Sequence, residues 1–440
     1  MERVAPSQIN YDDQLPIAIS SKSSRREFFP EGGSTYGPNG GDKPNIVRIP
    51  INADSMLDVQ NSYLKFDFKS VVNTHKIGLD LPQSFIKRLR ILSGGTVLED
   101  IDQYGRLYAG ILYPAQANME HLQSQTLCSG QSNKVSDQNT QIKHNVETQI
   151  DPAGELTFCI HLASGLLNMD KYLPLVMMNA GFTIELEFDV KGSVGVSNNA
   201  GGYDWNVSNF RYVAHLIDLE RDFYDRLRMV MEGSGGVLQL AGQTFRHYSG
   251  QIGISDSNGT INIPARVKSI KSIFFKNTIE AEITLNTKYG ISNSPNRNMT
   301  EYQFRIGSVV YPPNAVKCNT ALATLNNGEP LLELEKAFGN LSGFDTSSYI
   351  LTNGVYGTIG GLKTSAGSAG VPILNPYGLD FEAFNRSAIE NGVNTSDRSL
   401  PITLDLKFGA GCDVATTLDV YVLCDAIFYV NLDGTCSVSI

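Results

Sequence analysis

The stretch FTIELEFDV, residues 182–190, sets Phe182, Ile184, Leu186 and Phe188 against Thr183, Glu185 and Glu187. A period of two is the side-chain pitch of a strand with one face buried and one wet. NSYLKFDFKSVV repeats it, with Leu64, Phe66 and Phe68 on one face and Tyr63, Lys65, Asp67 and Lys69 on the other. NIVRIPI, NFRYVAHLIDL, GVLQL, TINIPA, VKSIKSIFF, LDFEAFN, PITLDLKFG and LDVYVLCDAIFYV read as further strands. FIKRLRIL, SGG and TVLEDI make strand, turn and strand, and YQFRIGSVVYPP reads as a strand and a turn. The 41 glycines and 18 prolines punctuate this pattern. One-faced strands must stack, so the fold class is all-β, built of antiparallel sandwiches.

The pattern occurs twice. TIELEF at 183–188 matches TLDLKF at 403–408, and Arg90-Ile91-Leu92-Ser93 matches Arg305-Ile306-Gly307-Ser308, in the same order and at nearly equal separations. A helical stretch follows each of the latter, in QYGRLYAGILYPAQANMEHL and in NTALATLNNGEPLLELEKAF, where Pro330 opens the second part. Between the halves, LERDFYDRLRMVM places Leu219, Phe223, Leu227 and Val230 on one helical face, and GSGG at 233–236 stops it. The chain of 440 residues is long enough for two cores. The reading is an N-terminal arm at 1–44, a first sandwich at 45–218, a linking helix and glycine turn at 219–235, and a second sandwich at 236–440. Segments 126–146, 191–204 and 339–378 read as long polar loops.

Chemistry is sparse. The net charge of −10 disfavours a chain that grips nucleic acid over its whole surface. Lys22, Arg25 and Arg26 form one local basic patch, read as a solvated tail. The cysteines at 128, 159, 318, 412, 424 and 436 form no C-x-x-C pair, and the N-terminus has no signal-peptide core. VYVLCDAIFYV at 420–430 is too short to span a membrane as a helix and contains Asp425. These features suit synthesis in a reducing cytoplasm, where the sequons at Asn206 and Asn258 carry little meaning. Cys159 and His161 stand two apart, which permits a nucleophile with its base or half a metal site. The bland alternative, two side chains on a sheet face opposite Phe158, Ile160 and Leu162, is preferred because no second ligand cluster accompanies them. GTIGGLKTS at 357–365 fails as a phosphate loop because Leu362 separates Gly361 from Lys363. Carboxylate pairs such as Asp12-Asp13 and Glu99-Asp100 are read as solvated charge, and a single Trp205 weakens a sugar-stacking reading. No catalytic, cofactor-binding or metal residue is therefore assigned, no cofactor is expected, and the chain is not read as an enzyme.

RIPINADSMLDVQNSYLKFDF, LASGLLNMDKYLPL and YQFRIGSVVYPP, with LERDFYDRLRMVM between the halves, resemble the double jelly-roll major capsid proteins of Polinton-like viruses, virophages and related large eukaryotic DNA viruses. The resemblance implies two consecutive jelly rolls with short inserted helices. It also implies a homotrimer with a pseudo-hexagonal outline that tiles an icosahedral shell around double-stranded DNA. Partners would be neighbouring capsomers, penton proteins and minor capsid proteins. Loops 126–146, 191–204 and 339–378 would form towers or intersubunit segments. The arm at 1–44 would tie neighbours or face an internal membrane or the genome, without specific nucleic-acid recognition. A carbohydrate- or receptor-binding sandwich is the alternative, and a jelly-roll hydrolase a third.

Overall fold

The computed structural model describes residues 19–70, 75–77, 82–116, 148–150, 155–190, 196–197, 204–283, 290–318, 328–339, 375–383, 389–397, 400–409, 411–412 and 414–440. The first half contributes β1 (Ser21–Phe28), β2 (Ile46–Ile51), β3 (Met56–Ser70), β4 (Ile86–Ser93), β5 (Thr96–Asp102), β6 (Glu155–Ile160), β7 (Phe182–Phe188) and β8 (Trp205–Leu219). The second contributes β9 (Val237–Ile252), β10 (Asn258–Ile263), β11 (Ile270–Thr278), β12 (Met299–Ile306), β13 (Val309–Lys317), β14 (Tyr377–Asp380), β15 (Ile402–Phe408) and β16 (Thr416–Asn431).

These strands pair antiparallel in sheets ordered β1-β8-β3-β6 and β2-β7-β4-β5, then β9-β16-β11-β14 and β10-β15-β12-β13. Adding eight to each strand number of the first half gives the second, so the repeated motifs belong to a repeated topology. Short strands Thr35–Tyr36, Leu173–Pro174 and Cys436–Ser439 add to these sheets. His75–Ile77, Thr148–Ile150 and Val196–Ser197 make a small sheet of their own.

The matched motifs also share chemistry. Glu185 on β7 is buried and pairs with Arg90 on β4 and with Arg48 on β2, the latter at 2.6 Å. Asp405, at the same place in TLDLKF, pairs with Arg305 of RIGS at 3.6 Å on an exposed face. In the first core Trp205 stacks on Phe85 at 5.2 Å and on Phe68 at 6.0 Å. In the second, Phe275 stacks on Tyr377 and meets Tyr302 edge-on, each at 5.0 Å.

The arm reading fails for residues 21–28. All eight of them pair with β8, from Ser21 opposite Leu219 to Phe28 opposite Tyr212. Their side chains are exposed until Glu27 and Phe28, so the alternation that marks a half-buried strand is missing. The end of YQFRIGSVVYPP is likewise strand and not turn. The chain reverses at Gly307, where φ is +60°, and β13 runs on through Pro312 and Pro313. An edge strand tolerates prolines, because the N–H that each removes can be one that no neighbour uses.

Helical elements fall between strands. The segment 104–116 (α1) follows β5 and includes a wider π turn at Tyr108–Leu112. Arg221–Gly233 (α2) links the halves, then Glu280–Ile283 (α3) and Gly328–Ala337 (α4) follow, with Pro330 in the first turn of α4. On α2 only Met231 is buried, and Val230, expected on the covered face, is 61% exposed. Gly236 closes this helix by donating to the Met231 carbonyl at 2.7 Å with φ +82°. Of the loops expected as towers, 126–146 and nearly all of 191–204 and 339–378 lie outside the described residues. Within that last range Tyr377 already belongs to β14.

Candidate functional site

The two sandwiches meet where β5 and α1 of the first half lie against β9, β11 and β16 of the second. Buried apolar residues of both halves join in one contiguous cluster across this seam. Glycines let the backbones close in. A Cβ on Gly165 would overlap the Gln243 carbonyl, and one on Gly242 would come within 3.0 Å of the Gly165 carbonyl. Gly110 of α1 leaves room for Lys276, whose Nζ would be 2.7 Å from an added Cβ.

Polar groups bridge the same surfaces. Glu99, fully desolvated on β5, accepts from Gly165 N at 2.9 Å, from Thr244 Oγ1 at 2.8 Å and from the Ser164 hydroxyl. Burial pushes its carboxyl above the ordinary range, against the pull of those donors. Arg106 on α1 donates through Nη1 to Glu280 at 2.9 Å and to Asp419 Oδ2 at 3.1 Å. His247 Nε2 lies 2.9 Å from Asp419 Oδ1, and its Nδ1 lies 3.6 Å from Asp102 of β5. Thr278 donates to Asp419 at 2.6 Å, and Tyr421 donates across the seam to the Gln103 carbonyl at 2.9 Å.

Burial opposes charge on Asp419, yet Arg106 and His247 outweigh it and hold the carboxyl far below its usual range. Burial likewise opposes charge on Arg106, and Asp419 with Glu280 more than restores it. Unpaired, these charges would be costly at such depth. A cleft of about 390 Å³ opens elsewhere on the seam, beside Ser164 and Gly165, with Leu112, Gln243, Lys271 and Phe338 in its lining.

The residues singled out in sequence lie elsewhere. Phe158, Ile160 and Leu162 are buried, Cys159 is half-buried and His161 is exposed, so the two sit on the outer side of β6 and its continuation. His161 meets the Tyr63 ring at 6.5 Å in an edge-to-face arrangement. Trp205 is wholly in the core and offers no stacking platform to a sugar. Lys22, Arg25 and Arg26 ride on β1, with Arg25 on Glu27 and Arg26 over the Phe28 ring at 5.1 Å. Of the pair read as solvated charge, Asp100 does bind Arg88 at 2.6 Å near the surface, whereas Glu99 is the buried seam acid. Asp12-Asp13, Cys128 and GTIGGLKTS lie outside the described residues. Among the described residues no group of His, Cys, Asp or Glu is arranged to hold a metal, and no helix is long and apolar enough to cross a membrane.

The sequence reading passed over Arg106, His247 and Asp419. One signal was present: a charge such as Asp419 or Asp425 inside the apolar run LDVYVLCDAIFYV needs a partner.

No family model matches the chain, and no curated protein matches it in sequence. Solved structures do. VP54 of PBCV-1, as fitted into a reconstruction of the virophage Sputnik, is 9% identical and superposes with a TM-score of 0.62 over 98% of this chain and 99% of its own. The Faustovirus major capsid protein is 8% identical, with a TM-score of 0.58 over 95% and 92%. The mavirus major capsid protein is 11% identical, with a TM-score of 0.55 over 100% and 95%. The fold is the double jelly roll. End-to-end coverage includes both jelly rolls and the helix between them. At such low identity the likeness is one of fold, and residue roles do not transfer with it.

Proposed function

We propose that this double jelly roll is the major capsid protein of a double-stranded DNA virus, a structural and non-catalytic subunit of an icosahedral shell. One observation carries the reading: the same strand order occurs twice in one chain, and the two copies meet head to tail. The first jelly roll presents β5 and α1, and the second receives them on the sheet β9-β16-β11-β14. Each chain then has one unmatched surface of each kind. Among the described residues, the outer side of the sheet β1-β8-β3-β6 is partly exposed, at Lys65, Asp67 and Lys69. The counterparts of β5 and α1 are β13 and α4, where Val309 and Leu332 are each 51% exposed.

Head-to-tail contacts either close into rings or run on as fibres. Three chains of two jelly rolls close a ring with near sixfold outline, the shape that tiles a shell. The acidic balance suits a wall that encloses a genome without gripping it. Neighbouring capsomers, pentons and minor proteins are the partners this role calls for, and the virion is the location.

The test is the mass of the purified protein together with its image by electron microscopy. A trimer of about 144 kDa, three times the 48.1 kDa chain, with a pseudo-hexagonal outline supports the reading. A stable monomer that binds glycans would replace it with the receptor-binding alternative.

A further inference from the structure

We propose that β5 and β9 form a proton-held clasp between the two jelly rolls, fastened while His247 carries both ring protons and loosened when it loses one. The geometry is that of a clamp. The ring sits between Asp102 of the first jelly roll and Asp419 of the second, at 3.6 and 2.9 Å, with its side chain 8% exposed. Every element around it contributes charge or polarity. β5 gives Asp102, α1 gives Arg106, α3 gives Glu280, β11 gives Thr278, and β16 gives Asp419 and the Tyr421 ring at 4.9 Å. Arg88 of β4 acts on Asp102 from behind, and buried Asp189 feels both Arg106 and Glu280.

With a neutral imidazole, Arg106 is paired with Glu280 and Asp419 while Arg88 acts on Asp102, and no cation stands between Asp102 and Asp419. With an imidazolium, a cation stands between those two carboxylates and ties one jelly roll to the other. Burial works against that charge, but the two carboxylates outweigh it and raise the ring's pKa above its ordinary value. Glu99, three residues before Asp102 on β5, meets Thr244, three before His247 on β9, and burial raises its pKa too.

The sign is the same for both groups. A proton bound more tightly in the folded protein stabilises it fully below the unfolded pKa. That contribution is lost as the pH rises through the folded value. For His247 the loss begins near the ordinary pKa of about 6.5.

Two measurements on the full chain test this. Thermal unfolding is followed from about pH 5.5 to about pH 8.5 for the native protein and for His247→Gln. The native Tm is expected to fall as the pH rises, and the variant's Tm to fall less steeply, by the part that Glu99 leaves. Equal slopes would overturn the clasp. Should His247→Gln not fold, Asp102→Asn on the half-exposed rim replaces it, with a shallower pH slope expected and an unchanged one contradicting the proposal. Hydrogen exchange of the native protein, corrected for intrinsic rates, reads the seam directly. Opening at 97–103 and 242–248 should increase up to about tenfold per pH unit above 6.5. Protection that holds constant there would also sink the idea.

Discussion

The two jelly rolls share a strand order and differ in what lies over it. On the outer side of β1-β8-β3-β6, Asp67 accepts from Thr157 at 2.6 Å and from Asn209 at 2.6 Å, and Arg211 reaches Glu27 at 3.2 Å, all at or near water. On the corresponding side of β9-β16-β11-β14, Phe274 stacks on Phe338 at 4.5 Å beside α4, and Asp419 is wholly buried with Arg106 of α1. One backbone plan thus serves as an open wall in one half and an internal joint in the other. Core-facing alternation, which both halves have, supports the shared sandwich. The use of the outer face follows from residues that alternation leaves free.

That contrast can be broken most severely at Arg106. Arg106→Met leaves Asp419 buried with half its compensation, and stability by denaturant unfolding is expected to fall by about 3–5 kcal/mol. A loss below about 1 kcal/mol would place the joint's strength in apolar packing alone.

Next is Gly165→Val, which drives a side chain into the backbone of β9. It is expected to cost about 3 kcal/mol. Gly233→Ala, where nothing lies within 4 Å of an added Cβ, should stay within about 0.5 kcal/mol. Equal effects would mean that the seam can part without strain.

The smallest effect compares the repeated ion pairs. Arg90→Ala strips a partner from buried Glu185, and about 2 kcal/mol is expected to be lost. Arg305→Ala removes an exposed pair and should cost under about 1 kcal/mol by the same urea titration. The reverse ranking would show that burial does not set the difference.

Most strands were legible because one face of each is apolar, as in β7 and β15. β1 was not, since a strand exposed along most of its length carries no period, and its lysine and arginines read as a tail. β13 hid behind Pro312 and Pro313, which mark a turn unless the strand is known to lie at an edge. The seam was legible only in fragments. Glu99 looks like any surface acid in a sequence, and Asp419, though set in an apolar run, does not name its partner. Their partners Thr244 and Arg106 come from the other half of the chain, and no local period encodes such a meeting. The Cys159 and His161 pair drew attention by spacing, and the structure places both on the outer side of β6 and its continuation.

The pairing of β1 with β8 has a mechanical consequence. Ser21 lies opposite Leu219, two residues before α2 begins, so tension on the chain ahead of Ser21 is delivered beside the link between the jelly rolls. Such a pull peels β1 away one residue pair at a time, and Phe28 is its only buried side chain. The strand is a tear strip: it can be drawn off almost to its end before the hydrophobic interior feels the load.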